Sequence, residues 1–180
     1  GRRKDLDEPI VLGEVDVQGS RAGEPIQTRV AAIPTPDNLI AAHPMYATLG
    51  DSVRLLGFDA STVTAQPGDT VALTLFWQAL DETDISYKFY LHVFDAESGE
   101  LAAQLDAVPR DWSYPTNVWD AGEYVSDRLS LPLSGIAPGT YKVEIGVYHP
   151  DTGERLPAID AQNNPFPNNS IPLGEVEIGE

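Results

Sequence analysis

Three histidines, one acidic run and a small set of aromatics are the side chains through which this sequence would do chemistry. His43 precedes a proline, His92 falls on the outward positions of an alternating segment, and His149 stands beside Pro150. They share no spacing of the kind that brings imidazoles to one metal, so a histidine-held site is not expected. The 180 residues include no cysteine, which removes disulfides, thiolate ligands, iron–sulfur clusters and thiol nucleophiles together. No Gly-x-Ser-x-Gly elbow, phosphate-binding loop or dinucleotide fingerprint occurs. The expectation is therefore a protein without catalytic residues and without a cofactor, calcium excepted. Asp81, Glu82 and Asp84, in the run Asp81-Glu82-Thr83-Asp84 between two long strands, offer the hard oxygens that calcium takes.

Residues 106–122 form the longest unpatterned stretch of the body and hold Trp112, Tyr114 and Trp119. A loop of that length inside a compact domain either carries function or packs as its own small cluster. Exposed Trp and Tyr faces would stack on sugar rings, making these three a sugar platform. The alternative is that Trp119 plugs one end of the fold and Trp112 covers a sheet edge; it is favoured, because large aromatics are mostly buried. Asn168-Asn169-Ser170 matches the N-glycosylation pattern, and Thr35 between Pro34 and Pro36 is a candidate for an O-linked sugar.

These groups must be positioned by β-structure. Hydrophobic residues make up 42% and charged residues 22% of the chain, a globular composition. Period-2 alternation recurs, while helical periodicity is nearly absent. Thr70 to Gln78 places Val71, Leu73, Leu75 and Trp77 on one face. Ser86 to Phe94 turns Tyr87, Phe89, Leu91 and Val93 inward, against Lys88, Tyr90 and His92. Tyr124 to Leu133 and Thr140 to Tyr148 alternate likewise, with shorter candidates at 52–58, 62–65, 100–105 and 155–157. Pro67-Gly68 and Pro138-Gly139 each precede a strand, Pro presetting a negative φ and Gly supplying the positive φ of a type II turn. Seven to nine strands at this spacing predict an all-β, antiparallel, immunoglobulin-like sandwich.

The charge is 11 basic against 28 acidic residues, a net of −17. Such a surface repels phosphate backbones and anionic lipid, so nucleic acid is not an expected partner. No apolar run approaches the roughly 20 residues a membrane helix needs, and direct membrane insertion is not expected. Acidity, few lysines and abundant Thr, Pro and Gly point to an extracellular or cell-surface module.

One internal match sets the domain reading. Ile10-Val11-Leu12-Gly13-Glu14-Val15-Asp16-Val17 recurs 161 residues later as Ile171-Pro172-Leu173-Gly174-Glu175-Val176-Glu177-Ile178. A single sandwich needs that closing strand once. The pattern thus gives a surplus strand in 1–19, a linker over 20–45 and a sandwich over 46–180. Left alone, the surplus strand exposes Ile10, Leu12, Val15 and Val17 beside a row of unpaired amides. It would end a preceding repeat or complement a neighbouring copy, and a head-to-tail contact of the second kind builds an open fibre. The leading functional expectation is a structural module assembling with copies of itself or homologous repeats. The alternative is a carbohydrate-binding accessory domain.

The chain also resembles a known group. His43-Pro44, Gly50-Asp51-Ser52-Val53-Arg54-Leu55-Leu56-Gly57-Phe58-Asp59, Pro67-Gly68-Asp69-Thr70 and Leu75-Phe76-Trp77 carry the likeness. So do Tyr114-Pro115-Thr116, Trp119, Ala121-Gly122-Glu123, Asp127-Arg128, Pro138-Gly139-Thr140-Tyr141 and Gly153-Glu154-Arg155-Leu156-Pro157. Over about residues 43–178 these are similar to tandem extracytoplasmic β-sandwich domains of Chloroflexi-like bacteria. Such domains are appended to protein-mannosyltransferase-type membrane glycosyltransferases and to large surface proteins. The resemblance implies surface location and repetition. It implies no catalytic residue, because the transferase's membrane helices and acidic catalytic loop are not in this sequence.

Overall fold

A computed structural model describes Asp16–Val17, Thr28–Arg29 and residues 41–60 and 64–179. The chain divides into two units, Gly1–Leu39 and Ile40–Glu180. In the first unit β1 (Asp16–Val17) pairs antiparallel with β2 (Thr28–Arg29), Asp16 opposite Arg29 and Val17 opposite Thr28. Ile10, Leu12, Val15 and Thr35 lie outside the described residues, as does the side chain of Val17.

The second unit is a β-sandwich. One sheet runs in the order β5 (Thr64–Ala65), β12 (Ile171–Ile178), β10 (Gly139–Tyr148), β7 (Lys88–Asp95) and β8 (Leu101–Ala107). The other runs β11 (Ala158–Asp160), β3 (His43–Leu49), β4 (Val53–Ala60), β6 (Thr70–Ala79) and β9 (Tyr124–Pro132). All pairings within the two sheets are antiparallel except β5 with β12. Nine strands have three residues or more, and β5 adds a two-residue edge.

Alternation decides the core. Val71, Leu73, Leu75, Trp77 and Ala79 point inward from β6, and Phe89, Leu91 and Val93 from β7. The sheets meet where Phe89 packs edge-on against fully buried Trp77, ring centroids 4.8 Å apart. Burying each such aliphatic or aromatic side chain is worth roughly 1.5–3 kcal/mol. The turn at Pro67-Gly68 forms as its residues dictate: Gly68 has φ 91° and Asp69 N–H donates to the Gln66 carbonyl at 3.0 Å.

Two boundaries differ from the sequence pattern. β3 starts at His43, so the sandwich takes in the end of the segment assigned to the linker, and Thr28–Arg29 makes a strand within it. β3 hides from periodicity because it contains Pro44, carries a bulge between Pro44 and Ala47, and buries only Ala47 and Leu49. Residues 155–157 supply a single bridge, Arg155 to Tyr148; the strand is β11, just after them.

Candidate functional site

A two-layer sandwich needs only the inner face of each sheet to be apolar. The outer face of the β8–β7–β10–β12 sheet departs from that rule. Register places Lys88 beside Tyr148, then Tyr90 between Gly146 and Asp106, then His92 between Glu144 and Gln104, then Phe94 beside Lys142. The rings touch in series: Tyr90 to His92 at 4.5 Å, Tyr90 to Tyr148 at 6.3 Å, His92 to Phe94 at 5.8 Å.

Tyr90 is the floor of this array and only 2% exposed. It lies across Gly146, where a Cβ would sit 2.2 Å from its hydroxyl oxygen. That hydroxyl donates to the Asn169 carbonyl at 3.1 Å and meets Ser170 Oγ at 3.3 Å. The Arg155 guanidinium covers the ring at 4.6 Å, while its Nη1 donates to the Asn168 carbonyl at 3.0 Å. The connection from β10 to β12 thus folds back over its own sheet through Arg155 and residues 168–170.

Charge on this face is mixed and close. Burial, followed by the Arg155 charge, pulls the His92 pKa below its ordinary value; Asp106 and Glu144 oppose the shift. The imidazole is therefore held toward its neutral form, with one donor and one acceptor nitrogen. Burial raises the Tyr148 phenol, and its hydrogen bond with Asp106 raises it further. Rings for stacking stand beside two carboxylates, an imidazole held toward neutral and a phenol on strands of one sheet, with the Arg155 guanidinium brought over them by the connection after β10.

Trp112 extends the face at one end. It is 57% exposed, and Lys88 Nζ lies 3.3 Å from its ring centroid. Its turn is unusual: Arg110, Asp111 and Trp112 take φ of 54°, 53° and 70° in succession, a region that costs side-chain-bearing residues energy. Buried Asp127 on β9 holds the turn, its Oδ1 accepting from Arg110 N–H at 2.7 Å. Ser113 Oγ donates to the Arg110 carbonyl at 2.6 Å and Arg110 Nε to the Ser126 carbonyl at 3.3 Å.

The structure does not assemble Trp112, Tyr114 and Trp119 into one platform. Trp119 is 3% exposed, packs 6.2 Å from Phe89 and donates Nε1–H to the Tyr114 carbonyl. It belongs to the core cluster, whereas Trp112 is left 57% exposed. The Tyr114 ring stacks on Trp119, lies under the Arg110 guanidinium, and donates its hydroxyl to Glu123 Oε1 at 2.6 Å. Nor do Asp81, Glu82 and Asp84 form a cage: Asp81 Oδ1 accepts the Glu82 N–H at 2.8 Å, and among the described residues no three His, Cys, Asp or Glu gather to hold a metal. Asn168 is exposed, with a left-handed φ of 54°.

Sequence reasoning put Lys88, Tyr90 and His92 on one outward face without treating them as a site. Their neighbours come from β8, β10 and the turn at Arg155, and strand order alone brings those together. Away from this face, a concavity of about 290 Å³ opens between the sheets beside His43, Phe58 and Leu173; its lining is continuous with the core.

No family model and no curated protein matches this chain. Among solved structures, the crystal structure of the C-terminal domain of wzt is similar at TM-score 0.55 and 11% identity, over 82% of this chain and 90% of that one. That likeness shows the sandwich fold. A calcium-binding mutant of Bacteroides uniformis beta-glucuronidase 2 matches at TM-score 0.39 and 15% identity, over 59% of this chain and 12% of that one. Among the described residues no helix is long and apolar enough to cross a membrane.

Proposed function

We propose that this domain is a non-catalytic carbohydrate-binding module, acting at or outside the cell surface, and that the outer face of the β8–β7–β10–β12 sheet is its binding face. The supporting observation is the row of Lys88, Tyr90, His92, Phe94 and Tyr148, ringed by Arg155, Asp106, Glu144 and Gln104. Folding does not require aromatics there. Half-exposed rings offer apolar faces to sugar C–H groups, and the flanking carboxylates, guanidinium and imidazole match hydroxyls with donors and acceptors.

A glycan array followed by calorimetry on a bound oligosaccharide tests this. Arg155→Ala should weaken binding by roughly tenfold or more, as for a lost charge-assisted hydrogen bond. An array left blank by folded protein, or affinity unchanged in both Arg155→Ala and His92→Ala, overturns the reading. The alternative, a tandem-array or fibre module, is favoured by a different observation, the recurrence of the β12 sequence at residues 10–17.

A further inference from the structure

We infer that residues 10–17 are a second closing strand, built to occupy the β10 edge of another copy of this chain in the register that β12 occupies. This does not depend on the sugar-binding reading. Five of eight positions are identical (Ile10, Leu12, Gly13, Glu14 and Val15 against Ile171, Leu173, Gly174, Glu175 and Val176), and Asp16/Glu177 and Val17/Ile178 differ by one carbon.

The structure shows what each of those positions does in β12. Ile171, Val176 and Ile178 are buried and Leu173 half-buried, while Glu175 and Glu177 are exposed. Strict alternation cannot turn 171 and 173 inward together with 176 and 178. A bulge makes the phase slip: Val143 faces Gly174 but Glu144 faces Pro172, leaving Leu173 over. Gly174 sits at the slip with φ 133°, where side-chain-bearing residues are strained. The copy keeps this design, with Ile10 and Leu12, then Gly13, then Val15 and Val17.

The partners on β10 are matched too. Lys142 faces Glu175, Tyr141 faces Val176, and Thr140 Oγ1 donates to Glu177 Oε1 at 2.8 Å. Glu14, Val15 and Asp16 offer β10 the same charge, apolar side chain and acceptor. The far edges are filled by short strands that run in opposite directions. In β12 a two-residue strand, β5, pairs parallel with Glu177 and Ile178; Asp16 and Val17 pair antiparallel with the two-residue strand β2. Exchanging one strand for a near-duplicate changes few contacts, so concentration governs the outcome.

The chain has no cysteine, which makes register directly readable. Chains carrying Glu14→Cys would be mixed with chains carrying Lys142→Cys, at the roughly millimolar level that competes with a tethered strand. The expected result is a disulfide-linked heterodimer forming about tenfold faster than in the out-of-register mixture of Glu14→Cys with Glu144→Cys. Val11→Cys with Glu144→Cys, in register again, should restore the fast rate. Equal rates in and out of register overturn the inference. So does an absence of heterodimer while Lys142→Cys/Glu175→Cys closes within one chain. A Glu14→Cys/Lys142→Cys chain that closes only on itself at every concentration overturns the role of a second copy.

Discussion

The two outer faces of the sandwich follow the same alternation and end in different places. On β9 every outward residue from Ser126 to Pro132 is exposed, between buried Val125, Asp127, Leu129 and Leu131. On the neighbouring β6 the outward Ala72, Thr74, Phe76 and Gln78 are half-exposed, Gln78 donating to the Tyr124 hydroxyl at 3.0 Å, and farther in Arg54 meets Thr48 at 3.4 Å. On β7 the outward residues Lys88, His92 and Phe94 are only half-exposed and Tyr90 is buried. Period-2 geometry cannot cause that difference. It arises because β9 is an edge strand while β7 lies between β10 and β8, because rings pack along β7, and because Arg155 and residues 168–170 lie over them. What sets the β7 face apart is a continuous row of rings capped by a connection; on β6 the outward ring is Phe76, beside Thr74 and Gln78.

The largest break in that contrast should come from Gly146. A Cβ there would meet Tyr90 at 2.2 Å, and Tyr90 is pinned by Arg155 above and Ser170 beside it. Gly146→Val should destabilise the domain by about 1–3 kcal/mol in urea unfolding, with binding lost at the same time. Ser130→Val, outward on β9, should stay within about 0.5 kcal/mol of the parent. Equal effects would mean that the two faces are equivalent. Next, Arg155→Ala should combine its roughly tenfold loss of glycan affinity with a measurable loss of stability, because the guanidinium also covers a ring. Arg128→Ala on the opposite face should alter neither.

How much of this was legible follows from where the information sits. Strands β6, β7, β9 and β10 announce themselves because their apolar residues alternate over eight positions or more, and the Pro67-Gly68 turn carries its own dihedral requirement. β3 does not, since a proline and a bulge break its pattern. The inward Phe89 and the outward Tyr90 and His92 are equally readable from β7 alone. That His92 lies between Glu144 and Gln104 requires knowing that β7 is flanked by β10 and β8, and no local pattern states strand order. Trp119 as a plug follows from the average burial of tryptophan. Trp112 does not, because its exposure is set by a left-handed turn hung from Asp127, a residue distant in sequence.

Trp112 sharpens the contrast at its margin. If the face extends to this ring, Trp112→Ala should weaken binding about three- to tenfold, the scale of one aromatic or cation–π contact, with little change in stability. Trp119→Ala should instead cost about 3–5 kcal/mol of stability, as a core deletion. A loss of affinity in Trp112→Ala no larger than in Arg128→Ala would confine the face to the strands.

The smallest effects lie in pH, and their signs separate the inner anchor from the outer face. Burial raises the Asp127 pKa against the pull of the Arg110 N–H and charge, so the folded carboxyl keeps its proton where the unfolded one has lost it. Stability therefore falls as pH rises from the ordinary carboxylate range through the raised value, then stays level. His92 behaves oppositely. Its lowered pKa makes the folded imidazole release its proton first, so stability climbs with pH from that lowered value up to the ordinary imidazole range. Urea midpoints measured between about pH 4 and about pH 8 should show both slopes. Asp127→Asn should remove the falling slope, Oδ1 still accepting from Arg110 N–H while no titratable group remains at the position. His92→Gln should remove only the rising slope. Because Asp127 holds the Trp112 turn from inside and His92 lies in the binding row, glycan affinity should track the His92 titration alone. Affinity that follows the Asp127 slope instead would transfer the site from the face of β7 to the turn.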